Sequence, residues 1–129
     1  MLRFFGKYGL SVAVAMTILY LCIMPSPPHV GGEIPNVDKF EHILMYLILV
    51  CALCKNFYQD YTEFYSFKMI MWTIVAPICF GGVIELLQSY CTTTRSGDWL
   101  DWLADILGVL AGYLICSYFY PRYMKRNDE

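Results

Sequence analysis

The sequence predicts an all-α membrane protein in which four transmembrane helices form one bundle within a single domain, residues 1–129. Hydrophobic residues make up 58% of the chain and charged residues only 16%, whereas a typical soluble domain has about 25% charged residues. A soluble protein of 129 residues could not bury so much apolar surface, because small domains keep a large share of their surface exposed. The apolar residues also lie in long stretches, and a helix needs roughly 20 of them to cross a lipid bilayer.

The four predicted helices follow these apolar stretches in order. Their expected ranges are 8–24, 40–54, 69–88 and 99–120. The first lacks a small-x-small cleavage site, so we expect a retained anchor rather than a signal peptide. The second is short, and its charged start is expected to lie at the membrane interface or inside the bundle. Pro77 lies within the third helix and is expected to kink it.

Turn-forming and aromatic residues predict the connections between the helices. Proline and glycine occur at high density over residues 25–36, where they stop the first helix and resist regular structure. The stretch 56–67 is rich in tyrosine and phenylalanine. Because these side chains favour the headgroup level of a membrane, we expect this inner loop to form an interfacial aromatic belt rather than a binding motif.

The basic residues predict the orientation of the bundle, since cytoplasmic loops carry an excess of lysine and arginine. With the N-terminus in the cytoplasm, seven of the 9 basic residues lie on the cytoplasmic side: Arg3, Lys7, Lys55, Lys68, Arg122, Lys125 and Arg126. Lys39 and Arg95 then lie on the outer side. Both termini are therefore expected in the cytoplasm.

Polar residues gather at the helix ends that this orientation places on the outer side. The candidate substrate-binding set is Asp38, Lys39, His42, Tyr46, Glu85, Gln88, Arg95, Asp98, Asp101 and Asp105. Ionisable groups at membrane depth are costly, so their default interpretation is a functional site. The start of the second helix, the end of the third and the start of the fourth all carry them, so we expect these segments to meet.

Helical spacing places the polar residues of each segment on one face. Asp38, His42 and Tyr46 recur every four residues, and Glu85 and Gln88 are three apart. The fourth helix has the longest stripe, which consists of Asp98, Asp101, Asp105, Gly108 and Gly112. Its glycines allow a second helix to approach closely, either within one chain or in an oligomer, so the aspartates on the same stripe are expected to point into the bundle.

Structural roles stay open for several of these residues. Asp38 is also placed to cap a helix, Lys39 to extend to the membrane interface, and His42 alone fits an interior histidine. Glu85 needs a cationic partner such as Lys39 or Arg95, because burying a lone carboxylate is costly. The two acids inside the fourth helix, Asp101 and Asp105, favour a functional interpretation for the same reason.

Three kinds of chemistry suit this set of residues. Carboxylates with one histidine can bind a divalent cation. The candidates for a general acid or base are His42, Glu85, Asp101 and Asp105. Lys39, Arg95 and His42 can hold a phosphate or carboxylate group of a substrate. No standard hydrolase, metalloprotease or nucleotide-binding motif accompanies them.

The order and spacing of these residues resemble the motifs of the VanZ-like family. The matching pieces are Asp38-Lys39-x-x-His42-x-x-x-Tyr46, Glu85-x-x-Gln88 and Arg95-x-x-Asp98-x-x-Asp101-x-x-x-Asp105-x-x-Gly108. The resemblance covers residues 37–112 and implies a multi-pass protein of the bacterial cytoplasmic (inner) membrane. The founding member is linked to resistance to the glycopeptide teicoplanin. The family more often has asparagine where this chain has Asp105, which adds a carboxylate here.

Three functions stay open at this point. One is a cell-envelope protein that lowers susceptibility to glycopeptide antibiotics such as teicoplanin, by binding a lipid-linked or glycopeptide ligand near the outer leaflet. Another is a small enzyme acting on an envelope lipid head group, with Glu85 or Asp101 as base and His42 as acid. An ion-coupled carrier is disfavoured because the inner halves of the helices carry few polar groups. Nucleic acid is not an expected partner, since the chain has no basic tract or zinc finger.

Overall fold

The structure, a computed structural model, describes residues 1–24, 36–61, 66–93 and 97–128. Every regular element within those ranges is helical. The helices are α1 (Leu2–Ile23), α2 (Val37–Tyr61), α3 (Phe67–Ile70), α4 (Ala76–Cys91) and α5 (Trp99–Asp128). A π-helical turn, Met71–Val75, joins α3 to α4 in one continuous rod.

The helices are longer than the apolar stretches that predicted them. The loop predicted over 56–67 is wrong in its first part, because α2 continues to Tyr61. Its last turns are held by α1: Asn56 Nδ2 donates to Ser11 Oγ at 2.6 Å, and the Phe57 ring packs 5.4 Å from the Tyr8 ring. Residues 62–65 of that connection, and the first eleven residues of the loop predicted over 25–36, lie outside the described residues.

The distortion expected at Pro77 takes the form of the π-helical turn that ends just before it. The Ala76 N–H donates to the Met71 carbonyl, one residue further back than in an α-helix. Proline cannot donate to the preceding turn and its ring crowds the backbone there. The extra residue in the turn therefore relieves the constraint without ending the rod.

The α2 and α5 helices run parallel and in register, and α2 contacts every other helix. His42 pairs with Asp105 and Cys51 with Cys116, separations of 63 and 65 residues along the chain. Between these pairs, Gly112 lies against Leu47, whose carbonyl oxygen would be 3.1 Å from a Cβ on that glycine. The prediction that the glycine stripe serves close helix packing is confirmed, and the packing occurs within the chain.

Among the described residues, three helical segments are long and apolar enough to cross a membrane: Leu2–Ile23, Phe67–Cys91 and Trp99–Asn127. Large apolar side chains on them are exposed, such as Leu86, Leu107 and Leu114. Exposed apolar surface on this scale is typical of a membrane environment, so these helices indicate a membrane protein. The α2 helix is not among the three, and its first turns carry Asp38 and Lys39.

The buried pair between α1 and α2 gives a first test of this packing. Asn56→Ala is expected to lower the free energy of unfolding by about 1–2 kcal/mol, because Ser11 then loses a hydrogen-bond partner in a buried place. Thermal unfolding in detergent measures this, with Ser11→Ala and the double variant completing a double-mutant cycle. Strictly additive effects of the two single substitutions would contradict the pairing.

Candidate functional site

The start of α2, the end of α4 and the start of α5 meet at one end of the bundle, as predicted. His42 of α2 lies with its Nδ1 2.7 Å from Asp105 Oδ1 of α5. Both residues are buried, with 4% and 1% relative exposure. Either group would be costly to bury alone, so each depends on the other for its burial. The second ring nitrogen of His42, Nε2, lies on the opposite side of the imidazole from Asp105.

Asp101, in the first turn of α5, lies between Lys39 and His42. Its Oδ1 is 3.3 Å from the Lys39 ammonium, and its Oδ2 is 3.9 Å from His42 Nε2. Lys39 also lies 3.5 Å from Asp98 Oδ2 and 3.6 Å from Asp38 Oδ2. The lysine that was expected to clamp an anionic substrate therefore neutralises carboxylates of the chain itself.

Glu85 reaches the cluster from α4 with a partner that was not predicted. Its Oε2 accepts a hydrogen bond from the Asp98 N–H at 2.8 Å, whereas the Lys39 ammonium faces the aspartates. Arg95, the other expected partner, lies outside the described residues. Within the part of the chain that the structure describes, the buried Oε1 of Glu85 has no hydrogen-bond partner. A buried polar atom left unpaired is costly, and a cation or donor group beside this oxygen would offset that cost.

Asp98 forms the N-cap of α5 as well as an edge of the cluster. Its Oδ1 accepts from the Leu100 N–H at 2.9 Å, and its carbonyl accepts from the Asp101 and Trp102 N–H groups. The hydrogen bond from Leu100, together with the Lys39 ammonium, holds the pKa of the Asp98 carboxyl below its usual range. Sequence reasoning missed this role, although aspartate directly before an apolar helix is a frequent N-cap signal.

Tyr46 and Gly81 complete the buried wall behind Asp105. Tyr46 is fully buried, and its hydroxyl has no hydrogen-bond partner among the described residues. A Cβ on Gly81 would lie 2.8 Å from Asp105 Oδ2 and 3.2 Å from the Tyr46 hydroxyl oxygen. Glycine is therefore required there for steric reasons, which the sequence signalled only as a glycine pair after Pro77.

Two members of the predicted set lie apart from the buried cluster. Gln88 is buried, but its Nε2 donates to the Cys22 carbonyl at 2.7 Å and thereby ties α4 to the end of α1. Asp38 is half-exposed at the rim, where it contacts Lys39. Their predicted roles in binding a substrate are weaker on this geometry.

A cavity of about 280 Å³ opens beside Glu85. Its lining residues are Gly82, Glu85, Leu86, Ser89, Gly97, Asp98, Trp99 and Trp102. The Trp102 Nε1 donates to the Ile78 carbonyl at 3.1 Å, so its ring is fixed at the cavity wall. The tryptophans were not among the predicted site residues, and the signal that could have found them is their spacing of three on the helix face beside Asp98 and Asp101.

The arrangement can hold a metal ion or exchange protons. Ligand atoms of His42, Glu85 and Asp101 all lie within 4.8 Å of one another. The sequence predicted that carboxylates and one histidine could bind a cation, without choosing among the carboxylates. The structure reduces the candidate ligands to one residue from each of α2, α4 and α5. The same three residues, with Asp105 behind His42, are the candidate acids and bases, and they lie next to the cavity through Glu85.

Comparison of the chain with models of known protein families, with curated proteins and with solved structures gave no match. The geometry of the cluster and the motif pattern therefore carry the functional argument.

Proposed function

We propose that this chain is a VanZ-like protein of the bacterial cytoplasmic membrane that crosses the bilayer four times, with both termini in the cytoplasm. Its polar cluster binds a lipid-linked cell-wall head group or a glycopeptide near the outer leaflet. Through that binding it lowers the susceptibility of the cell to glycopeptides such as teicoplanin.

The parallel packing of α2 and α5 supports four crossings. Because α5 is one of the apolar candidate spans and α2 runs beside it in register, a membrane crossed by α5 is also crossed by α2. The 25 residues of α2 make a helix roughly 38 Å long, enough for the hydrocarbon core. With α1 and the α3–α4 rod crossing the other way, the basic residues fall mostly on the side of the termini.

The observation that carries the proposed site is the buried contact of His42 with Asp105, extended by Asp101 and by Glu85 at the cavity wall. Apolar side chains would stabilise the bundle at least as well as these buried ionisable groups. Their presence therefore favours a functional role. The cavity joins carboxylates to tryptophan rings, a combination suited to a polar head group with an apolar face. A head group held in the outer half of the bilayer is the ligand that this geometry favours.

Expression in a glycopeptide-sensitive host tests the proposal. Cells expressing the chain are expected to need at least about fourfold more teicoplanin for inhibition than cells expressing Asp101→Ala, because that variant removes the carboxylate between Lys39 and His42. Membrane levels are matched by immunoblot, and Leu107→Ala, an exposed position on the same helix, is the control that keeps the shift. An equal response of the parent and Asp101→Ala at matched levels would contradict the proposal.

The enzyme alternative is favoured by one observation, the grouping of His42, Asp101 and Glu85 with ligand atoms within 4.8 Å of one another and with Glu85 at the cavity wall. At such separations one bridging water could pass a proton between them. Mass spectrometry of envelope lipids from the same strains separates the two functions. A head-group change that depends on Asp101 indicates the enzyme. Unchanged lipids together with a teicoplanin shift indicate binding alone.

A further inference from the structure

We infer that His42, Glu85 and Asp101 form a binding site for one divalent transition-metal ion, Mn²⁺ or Zn²⁺, between α2, α4 and α5. The site does not depend on the proposed function, because metal binding is measured on the purified protein without any antibiotic. Three ligand atoms from three helices lie within 4.8 Å of one another. Ligand atoms of one such ion stand roughly 3.0–3.5 Å apart, so a small inward rotation of side chains closes the site.

Each of the three side chains has one atom held by an orienting partner, and each carries a second atom that can bind a cation. His42 has Nδ1 at 2.7 Å from Asp105 Oδ1, leaving Nε2. Asp101 has Oδ1 at 3.3 Å from the Lys39 ammonium, leaving Oδ2. Metal-binding histidines and carboxylates are held in this way by outer partners, above all in carboxylate–histidine–metal triads.

Glu85, the third proposed metal ligand, supplies an independent indication of a cation at the cluster. Glu85 has Oε2 fixed by the Asp98 N–H at 2.8 Å. Its other oxygen, Oε1, is buried without a hydrogen-bond partner among the described residues, in a side chain that is more than nine-tenths shielded. Such an atom is costly to leave unpaired, and a cation at the cluster would satisfy it.

The separation of His42 and Asp101 is compatible with a cation between them. His42 Nε2 and Asp101 Oδ2 are 3.9 Å apart, beyond hydrogen-bond length, so the two atoms do not bond to each other directly. A side-chain shift of about 0.5 Å would bring them to the roughly 3.4 Å that separates two ligand atoms of one ion.

The balance of charges among the described residues also favours a cation at the cluster. The cluster and its rim contain one ammonium, Lys39, against the carboxylates of Asp38, Glu85, Asp98, Asp101 and Asp105. A dication offsets part of this excess. The histidine ligand selects transition metals over Ca²⁺ and Mg²⁺, which prefer oxygen ligands alone. Three protein ligands leave open positions, which suit an oxygen of a phosphate or water.

The test uses the full chain, purified in detergent, stripped with chelator and titrated with MnCl₂ while free Mn²⁺ is followed by electron paramagnetic resonance. We expect one Mn²⁺ per chain, displaced by ZnCl₂ but not by equimolar CaCl₂. Asp101→Asn and His42→Gln are expected to weaken binding at least about 100-fold, since loss of a direct ligand exceeds the 10–100-fold effect of an outer partner. Asp38→Asn removes a half-exposed rim carboxylate that is not a proposed ligand. It is the matched control, expected to weaken binding by less than about fivefold, because an exposed charge acts only weakly through solvent.

Several results would overturn the site. They are a helical, monodisperse parent that binds neither ion, displacement by CaCl₂ at equal concentration, and an Asp101→Asn variant that binds like Asp38→Asn. For variants of low stability, metal binding is measured by thermal unfolding with and without MnCl₂. An ion that binds only the folded state raises the midpoint Tm. A rise in the parent and in Asp38→Asn, but not in Asp101→Asn, supports the site even where titration is not feasible. A teicoplanin response that fails while Mn²⁺ binding persists removes the proposed function and leaves the metal site standing.

Discussion

Gly81→Ala is expected to separate Asp105 from His42 and to weaken binding at the polar cluster. A Cβ at this position would lie 2.8 Å from Asp105 Oδ2 and 3.2 Å from the Tyr46 hydroxyl oxygen. A side-chain atom can often move away from such a clash, but Asp105 is 1% exposed and is tied to His42 at 2.7 Å. Tyr46 is also fully buried, so neither neighbour has room to yield.

The neighbouring glycine is the matched control for this prediction. A Cβ on Gly82 would meet only the Trp102 ring, at 3.5 Å or more, which is ordinary contact. In the middle of a helix, alanine is intrinsically more favourable than glycine by up to about 1 kcal/mol, so Gly82→Ala should be neutral or stabilising. Gly81→Ala should instead lose about 1–3 kcal/mol of folding free energy to overpacking.

The measurements are Tm in detergent and Mn²⁺ affinity for the two variants side by side. We expect Gly81→Ala to bind at least about tenfold more weakly, because a misplaced Asp105 no longer orients His42. If the two alanine variants behave alike in both measurements, the close approach of α4 to Asp105 is wrong.

Gly108→Ala is expected to force α2 and α5 apart and to be at least as destabilising as Gly81→Ala. A Cβ there would overlap the main-chain carbonyl of Ile43, with the carbonyl carbon and Cα of the same residue at 3.0 Å. Main-chain atoms within a helix cannot rotate away as a side chain can. We expect a loss of about 3 kcal/mol, at the upper end of the overpacking range.

Gly9→Ala makes the same change where a new methyl group meets nothing within 4 Å. That control should be neutral or stabilising by propensity alone, which isolates the effect of helix contact. The fraction of monodisperse protein after stepwise heating, read by size-exclusion chromatography, measures both variants. Equal heat resistance of Gly108→Ala and Gly9→Ala would show that the α2–α5 backbones do not touch.

The position of Gly108 also links stability to the site. Ile43 directly follows His42 along α2, so a displaced Ile43 carbonyl carries the imidazole with it. Weakened Mn²⁺ binding in Gly108→Ala is therefore expected alongside the lower heat resistance.

Helix content, the polar faces and the glycine stripe could all be predicted from spacing. His42, Asp101, Asp105 and Glu85 meet as their helical periods indicated. Helix ends could not be predicted in the same way, because apolar stretches mark membrane depth rather than where a helix stops. The α2 helix continues to Tyr61 since Asn56 and Phe57 find partners on α1, and those partners lie 45 residues or more away in sequence.

The partner of each ionisable group was the least predictable feature. Glu85 was expected to pair with a cation, yet it accepts a main-chain hydrogen bond from Asp98. Lys39 was a candidate to hold an anionic group of a substrate, yet three aspartates of the chain surround its ammonium. Pairing depends on differences of an ångström between side chains on separate helices, and one-dimensional spacing contains no information at that scale.

The sequence by itself determined that the chain is helical, that its helices are apolar enough to cross a membrane, and which polar faces they carry. Hydropathy and helical period are properties of neighbouring residues. Only the tertiary structure decided that α2 packs directly along α5 with His42 level with Asp105, that Gly81 leaves space for Asp105, and that Glu85 Oε1 has no partner among the described residues. Each of these depends on how closely helices distant in sequence approach, and that distance is set by packing across the whole bundle.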